Sequence, residues 1–134
     1  MWGRKGAWVA LLVGAAMLGG CGDGTEEAGK PYTVENGKVD AKTLQGWKTW
    51  SAAGCQRCHD ELGRVAMGPS LLESLKKIQR GDFKKTVMKG RPDKGMPSFG
   101  EDQQVADNLD SLYGYLKGRS DGAIPPGKLT AIGS

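Results

Sequence analysis

The chain has 134 residues, of which 22 are Gly and 6 are Pro, and its formal net charge at pH 7 is +4. Leu, Val, Ile and Phe together supply 24 residues, about 18 per cent, which is a fraction typical of disordered chains. Disordered chains also carry a high net charge, however, and this chain does not. This length allows one small domain and excludes a large multidomain enzyme. Because apolar side chains are few for such a domain, we expect another group to help fill the core.

The histidine and cysteine counts narrow the chemistry. His59 is the one histidine of the sequence, which excludes catalytic or zinc sites that need two histidines. The three cysteines, Cys21, Cys55 and Cys58, are an odd number that no set of internal disulfides can consume. Each cysteine therefore needs its own explanation.

Residues 1–20 have the layout of a secretory signal, with Arg4 and Lys5 before an uncharged apolar run. The run ends in Leu-Gly-Gly directly before Cys21, which resembles the lipobox of bacterial lipoproteins and implies lipidation of Cys21. An ordinary cleaved signal and an uncleaved anchor are the alternatives. We expect the chain on the periplasmic side of a bacterial membrane, lipid-anchored, or otherwise periplasmic or secreted.

The rest of the chain divides into three parts. Residues 21–40 are polar and glycine-rich, which predicts a lipid anchor and flexible linker with room for a short ordered piece. Residues 41–119 are the expected domain and residues 120–134 a loose C-terminal tail. Helical apolar spacing without strand alternation predicts an all-α fold. The expected helices are 41–56 after Asp40, 71–78, 83–89 after Asp82, and 103–117 after Asp102.

The segment Cys55-Gln56-Arg57-Cys58-His59 has the C-x-x-C-H spacing of haem attachment in c-type cytochromes. Two cysteines three positions apart can reach the two vinyl groups of one porphyrin and form thioethers. His59 then lies beneath the ring as the proximal iron ligand. The pattern therefore predicts one haem c, covalently bound through Cys55 and Cys58.

A C-x-x-C pair has other uses, which the sequence supports less well. A thioredoxin-like dithiol needs a βαβ context that is absent, and zinc needs two further ligands that are also absent. A disulfide between Cys55 and Cys58 in an oxidising compartment is the simplest alternative. Export favours haem, because haem is attached outside the cytoplasm.

The sixth iron ligand is expected to be a methionine, since no second histidine exists. Met67 follows His59 by only eight residues, and Met88 lies on a short helix where a core position is the simpler interpretation. Met96 stands in the irregular segment G-M-P-S-F-G, where Pro97 holds it in an extended conformation. We predict Met96 as the distal ligand, which leaves no open iron position for oxygen or peroxide.

Residues 41–119 resemble a class I cytochrome c. The resemblance rests on a helix ending in C-x-x-C-H, a Gly-Pro-Ser-Leu segment at 68–71, an M-P-x-F segment at Met96 and a terminal helix with aromatic residues. It implies a small cytochrome c fold of about four helices wrapped around one haem.

The same resemblance implies roles for individual residues. Pro69 would brace His59, often through a neighbouring carbonyl. The first and last helices would cross at close range, where a glycine meets an aromatic residue. Gly46 and Tyr113 are the expected pair.

A narrower similarity covers the segment from Leu112 to Gly127. It looks like the end of cytochromes that accept electrons from PQQ-dependent alcohol dehydrogenases, including methanol dehydrogenases. The similarity implies a dehydrogenase as electron donor. The lipobox departs from the usual soluble form of those carriers.

Charge is distributed unevenly. Between Lys76 and Lys94, eight basic residues stand against two acidic ones, whereas between Glu101 and Asp121 five acidic residues stand against two basic ones. A solvated face is the simplest interpretation of such runs. In an electron carrier, a basic patch can also steer an acidic partner, and anionic lipid headgroups compete for it.

These observations predict a membrane-anchored c-type cytochrome that passes single electrons from a dehydrogenase toward the respiratory chain and turns over no substrate. The expected partners are redox proteins and the membrane, with no nucleic acid and no small-molecule substrate. The alternative is a haem-based sensor or minor peroxidase in which Met96 dissociates.

Overall fold

The computed structural model describes residues 29–60 and 67–134, and these are mostly helical. Two short strands, paired antiparallel, precede five α-helices. The strands are β1 (Val34–Glu35) and β2 (Lys38–Val39), and the helices are α1 (Ala41–Ala52), α2 (Leu71–Ser74), α3 (Arg80–Lys89), α4 (Gln103–Asp107) and α5 (Leu109–Ser120). In this part of the chain no helix combines the length and apolar character that crossing a bilayer requires.

Two helices begin where their capping aspartates predict. Asp40 Oδ1 accepts a hydrogen bond of 2.9 Å from the backbone N–H of Thr43, and Asp102 Oδ1 accepts one of 3.1 Å from that of Val105. Each carboxylate satisfies an amide that the first helical turn leaves without a partner. The starts of α1 and α4 are therefore local properties of the sequence.

The other helix bounds differ from the expectation. α3 begins at Arg80, so Asp82 lies in its first turn instead of capping it. The helix expected over 103–117 is divided at Asn108, whose φ of −116° and ψ of 20° are not helical. The helices expected to reach residues 56 and 78 end at Ala52 and Ser74.

α1 crosses α5 at Gly46, but the expected pairing of Gly46 with Tyr113 is wrong. A Cβ on Gly46 would lie 1.9 Å from the carbonyl oxygen of Ser111 and 2.9 Å from Cβ of Tyr115. Residues 111 and 115 share one face of α5, because side chains four apart on a helix are neighbours and those two apart are not. Tyr113 instead packs against Phe83 of α3, with ring centroids 5.4 Å apart.

The hydrophobic core lies between these helices. Apolar residues of α4 and α5 form a stripe at helical spacing: Val105 and Leu112 are each 2 % exposed, Leu116 is 5 % exposed, and Leu109 is half-buried. Trp50 of α1 packs on Tyr115, with ring centroids 6.2 Å apart. The α1–α5 crossing and this stripe form the centre of the fold.

The core also includes residues from outside the expected domain. The short ordered piece for which residues 21–40 left room is present, and the tail, which was expected to be loose, contributes buried residues as well. Tyr32 and Val39 are buried before α1, and Ile124 and Leu129 are buried after α5. Val39 forms a parallel bridge with Ala131, which joins β2 to the tail. These residues order the segments because they bury apolar surface in the common core.

Candidate haem site

The C-x-x-C-H segment forms one tight turn after α1. α1 ends at Ala52, and Gly54 adopts the left-handed conformation (φ +71°) from which a 3-10 turn, Cys55–Arg57, begins. The carbonyl oxygen of Cys55 accepts hydrogen bonds from the backbone N–H groups of Cys58 (3.2 Å) and His59 (2.9 Å). The turn therefore holds both cysteines and the histidine close together.

The two thiols suit thioether formation. Cys55 and Cys58 are not joined by a disulfide, and both are half-buried. Cys55 packs against the hydrophobic core, and burial raises the pKa of its thiol to about 11. An uncharged sulfur is what this environment favours, and a thioether is uncharged.

The imidazole of His59 is held by the segment that follows it. Nδ1 of His59 lies 2.9 Å from the carbonyl oxygen of Pro69, and the backbone N–H of Gly68 donates to the carbonyl oxygen of Cys58 at 2.9 Å. Because a carbonyl only accepts, Nδ1 must carry the ring proton. The lone pair of Nε2 is then available for a metal.

Gly68 forms part of this site, although the sequence alone assigned it no role. A Cβ at position 68 would lie 2.6 Å from Cε1 and 2.8 Å from Nδ1 of His59. Only a glycine therefore lets the backbone lie against the face of the imidazole. The signal in the sequence was the glycine directly before Pro69.

Met96 lies in a loop that is tied to the end of α3. Arg91 and Met96 exchange backbone hydrogen bonds of 2.9 and 3.1 Å. Gly90, with φ +65°, packs so closely that a Cβ there would lie 2.5 Å from the carbonyl oxygen of Pro97. The hydroxyl of Ser98 donates to the carbonyl oxygen of Met88 at 2.7 Å. These contacts set the position of Met96.

The three methionines in the described part of the chain have different surroundings. Met67 is 85 % exposed. Met88 is half-buried but lies outside the core cluster, so the core position considered for it is not found. Met96 packs against the core cluster, as Cys55 does. Cys21 and the expected signal lie outside the described residues.

The residues present fit haem c. The turn offers two free thiols, the Pro69 carbonyl leaves Nε2 of His59 available, and Met96 offers a neutral thioether from a braced loop. Within residues 29–60 and 67–134, no three His, Cys, Asp or Glu side chains form a cluster that could hold a metal ion.

Comparison with known proteins points to the same group. Residues 41–116 match the family described as cytochrome C oxidase, cbb3-type, subunit III. The chain is 44 % identical over 92 residues to cytochrome c-555 of Methylococcus capsulatus (strain ATCC 33009 / NCIMB 11132 / Bath), covering 68 % of this chain and 73 % of that protein. It is 30 % identical over 118 residues to cytochrome c-553I of Paracoccus denitrificans, covering 76 % and 52 %.

A solved structure supports the fold. The crystal structure of the c-type cytochrome XoxG from Methylobacterium extorquens AM1 superposes with a TM-score of 0.67 at 28 % identity and covers 75 % of this chain. The match spans 65 % of that solved chain and about half of cytochrome c-553I. These relatives are cytochromes c, which transfer electrons and are not enzymes. The chain belongs to the cytochrome c family as a class I c-type cytochrome, and it carries covalently bound haem c.

Proposed function

We propose that this cytochrome is a membrane-anchored, periplasmic one-electron carrier in which Cys55 and Cys58 hold the haem and His59 and Met96 bind its iron. The observation that carries the proposal is the 2.9 Å contact between Nδ1 of His59 and the Pro69 carbonyl oxygen. When bound, haem c supplies an iron that alternates between the ferrous and ferric states.

His59 acts through its fixed tautomer. The Pro69 carbonyl holds the proton on Nδ1 and orients the ring, which also makes Nε2 a better donor. Gly68 lies against the ring and limits its rotation. A ligand fixed in this way changes little between the two oxidation states.

Met96 contributes a neutral sulfur ligand from a braced loop. A His/Met pair gives a higher reduction potential than more basic ligand pairs, which suits an acceptor of electrons from a dehydrogenase. The hydrogen bonds between Met96 and Arg91 and between Ser98 and Met88 oppose dissociation of the ligand. An open iron position, as a sensor or peroxidase needs, would require this loop to move.

The test of this ligation is Met96→Ala, with Met88→Ala as the matched control because Met88 lies nearby on α3. We expect Met96→Ala to keep its haem, lose the weak far-red band of Met–ferric iron and bind carbon monoxide when reduced. Its potential should fall by on the order of 100 mV, within the roughly 0.8 V range that axial ligands span. The control should keep all three properties of the wild type.

Two results would contradict the proposal. Rapid carbon monoxide binding by the reduced wild type would favour the sensor or peroxidase. An unchanged band and potential in Met96→Ala would assign the sixth position to another residue.

We further propose a PQQ-dependent alcohol dehydrogenase as the electron donor. The support is the similarity of the segment from Leu112 to Gly127 to the ends of cytochromes that serve such enzymes. Part of that segment is structural, since Ile124 packs on Gly118, where a Cβ would lie 2.3 Å from Cδ1 of Ile124. The purified oxidised holoprotein should be reduced by such a dehydrogenase with its alcohol, and no reduction would refute this donor.

The proposed membrane anchor is the lipid on Cys21. The support is the apolar run and the Leu-Gly-Gly segment before Cys21. Cys21→Ser should release the holoprotein from the membrane fraction into the periplasmic fraction. Continued retention in the membrane would argue for an uncleaved signal as the anchor.

A further inference from the structure

A groove on the protein surface lies apart from the haem site. This open groove of about 660 Å³ is lined by the first described residues, the start of α1, the start of α3 and the outer side of α5. None of the predicted haem-binding residues lines it. Its charged lining residues are four cations and two carboxylates: Lys30, Lys42, Arg80, Lys117, Asp40 and Asp121.

Both carboxylates already have partners within the protein. Asp40 accepts hydrogen bonds from the backbone N–H groups of Thr43 (2.9 Å) and Thr33 (2.7 Å) as the cap of α1. Asp121 accepts from the hydroxyl of Tyr32 at 2.8 Å and from Lys117 at 2.9 Å. Their negative charge is therefore used internally and neutralises the groove only in part.

The four cations of the groove differ in whether they form ion pairs. Arg80 is paired with Asp110 at 3.0 Å, and Lys117 with Asp121. Lys30 and Lys42 are exposed and form no ion pair among the described residues. Lys30 also lies over the ring of Tyr32, with Nζ 5.9 Å from the ring centroid. The groove thus offers an anion two exposed ammonium groups that are not in ion pairs, beside two cations that are.

The chain enters the described structure at this groove, and the entry point is held by packing. Pro31 lies on Gly114, where a Cβ would be 2.3 Å from its carbonyl oxygen, and Tyr32 lies on Gly118, where a Cβ would be 3.2 Å from its ring. Gly29, which lines the groove, lies only eight positions after Cys21. Fully extended, that length spans at most about 28 Å.

We propose that this groove docks on the phosphates of anionic phospholipid headgroups in the membrane that holds Cys21. The inference rests on the proposed lipid anchor, which keeps the groove within reach of the headgroups. A negative lipid surface attracts Lys and Arg within about a Debye length, so the exposed Lys30 and Lys42 are complementary in charge to such a surface.

Docking here leaves the electron-transfer site accessible. The groove meets the N-terminal end of α3, whereas the loop that carries Met96 follows its C-terminal end. A helix of ten residues is about 15 Å long. The Met96 loop is therefore separated from the groove by about the length of α3, so a headgroup bound in the groove does not cover it.

The test is amine acetylation of the anchored holoprotein in vesicles, with each lysine followed by mass spectrometry. Vesicles of phosphatidylcholine are compared with vesicles that also contain phosphatidylglycerol, at low salt. Lys30 and Lys42 should react about fivefold more slowly in the anionic vesicles. Lys48 and Lys128, which are exposed outside the groove, should react equally in both and serve as controls.

The outcomes separate the two proposals. Holoprotein that incorporates into neither type of vesicle would refute the lipid anchor. Anchored holoprotein with equal labelling of Lys30 and Lys42 in both types would refute headgroup docking while the anchor stands. Equal protection by inorganic phosphate added to phosphatidylcholine vesicles would also refute it, by showing a site for the free anion.

A paired variant gives an independent readout. Lys117 also lines the groove, so anionic lipid should slow its labelling at low salt as well. Lys30→Gln with Lys42→Gln should remove this effect on Lys117. Lys48→Gln with Lys128→Gln removes the same charge and should leave that effect intact. If both pairs behave alike, the effect is one of net charge and the groove is not the docking site.

Discussion

Nδ1 of His59 lies 2.9 Å from the carbonyl oxygen of Pro69, a residue ten positions later in the chain. Gly68, which directly precedes Pro69 in the chain, packs against the imidazole ring of His59. The backbone of one short loop thus fixes both the tautomer and the orientation of the proposed iron ligand.

Gly68→Ala should disturb the haem site. The added Cβ would approach Cε1 of His59 to 2.6 Å, so either the ring must turn or the loop must withdraw. We expect a smaller yield of holoprotein, a weaker bond between His59 and the Pro69 carbonyl, and a shifted reduction potential. Redox titration and the optical spectrum measure these effects.

The matched control for that change is Gly81→Ala. Gly81 lies in α3, and a Cβ there meets nothing within 4 Å. Replacing glycine by alanine in a helix stabilises it by about 1 kcal/mol, so the control should be neutral or slightly more stable, with an unchanged potential. If Gly68→Ala matched this control in reduction potential and in yield of holoprotein, the close packing of Gly68 against His59 would not affect the haem site.

Gly46→Ala should destabilise the fold through the α1–α5 crossing. A Cβ there would lie 1.9 Å from the carbonyl oxygen of Ser111, which is backbone and cannot rotate away. Overpacking of this kind costs about 1–3 kcal/mol or more of unfolding free energy. Urea unfolding of the holoprotein measures the loss, and a stability equal to that of Gly81→Ala would contradict the described crossing.

Because of Asp40, the free energy of unfolding should fall as the solution is acidified. Burial alone would raise the pKa of its carboxyl, but the hydrogen bonds from Thr43 and Thr33 together lower it below the ordinary value of 3.8. A lowered folded-state pKa stabilises the protein above about pH 4, and this stabilisation is lost as the pH falls below that value. Unfolding free energies at pH 7 and pH 3 measure the difference.

Two variants separate the charge of Asp40 from its capping. Asp40→Ala should cost about 0.5–2 kcal/mol at pH 7, because the cap of α1 is lost. Asp40→Asn keeps a capping oxygen, so it should retain more stability at pH 7 and show a smaller loss on acidification. Equal acid sensitivity in Asp40→Asn and the wild type would assign that sensitivity to other carboxyls.

The basic residues beside the Met96 loop should speed electron transfer from an acidic partner. Lys89 and Lys94 are exposed and, in the described part of the chain, form no ion pair. Replacing both by Gln should lower the second-order rate of reduction by the proposed donor dehydrogenase by about tenfold at low salt, with little effect at high salt.

The control for that prediction is Lys48→Gln with Lys128→Gln, which removes the same charge at exposed positions elsewhere. Stopped-flow reduction at several ionic strengths distinguishes the pairs. If both pairs slow the reaction equally, the partner senses net charge and the surface beside Met96 is not the docking face.

Features that depend on neighbouring residues could be predicted from the sequence. The haem attachment turn needs only the C-x-x-C-H spacing, and the starts of α1 and α4 need only an aspartate before a helical segment. The family relation and the mostly helical fold agree with those expectations. Such signals are local because each joins groups within a few residues.

The predictions that are wrong concern contacts between residues that are distant in the chain. Tyr113 was expected at Gly46, but the rotation of α5 brings Ser111 and Tyr115 there and turns Tyr113 toward Phe83. Which face of a helix meets which neighbour depends on the packing of the whole core, and periodicity narrows that choice without deciding it.

The sequence by itself determined the chemistry of the cofactor, because two cysteines and one histidine in a single turn leave few other uses for those side chains. Only the tertiary structure decided how the composition yields an ordered domain. Tyr32 and Ile124 come from polar, glycine-rich segments and become ordered on the glycines of α5. A low apolar content is sufficient here because distant segments of the chain bury their few apolar residues together, around a fold that also holds a porphyrin.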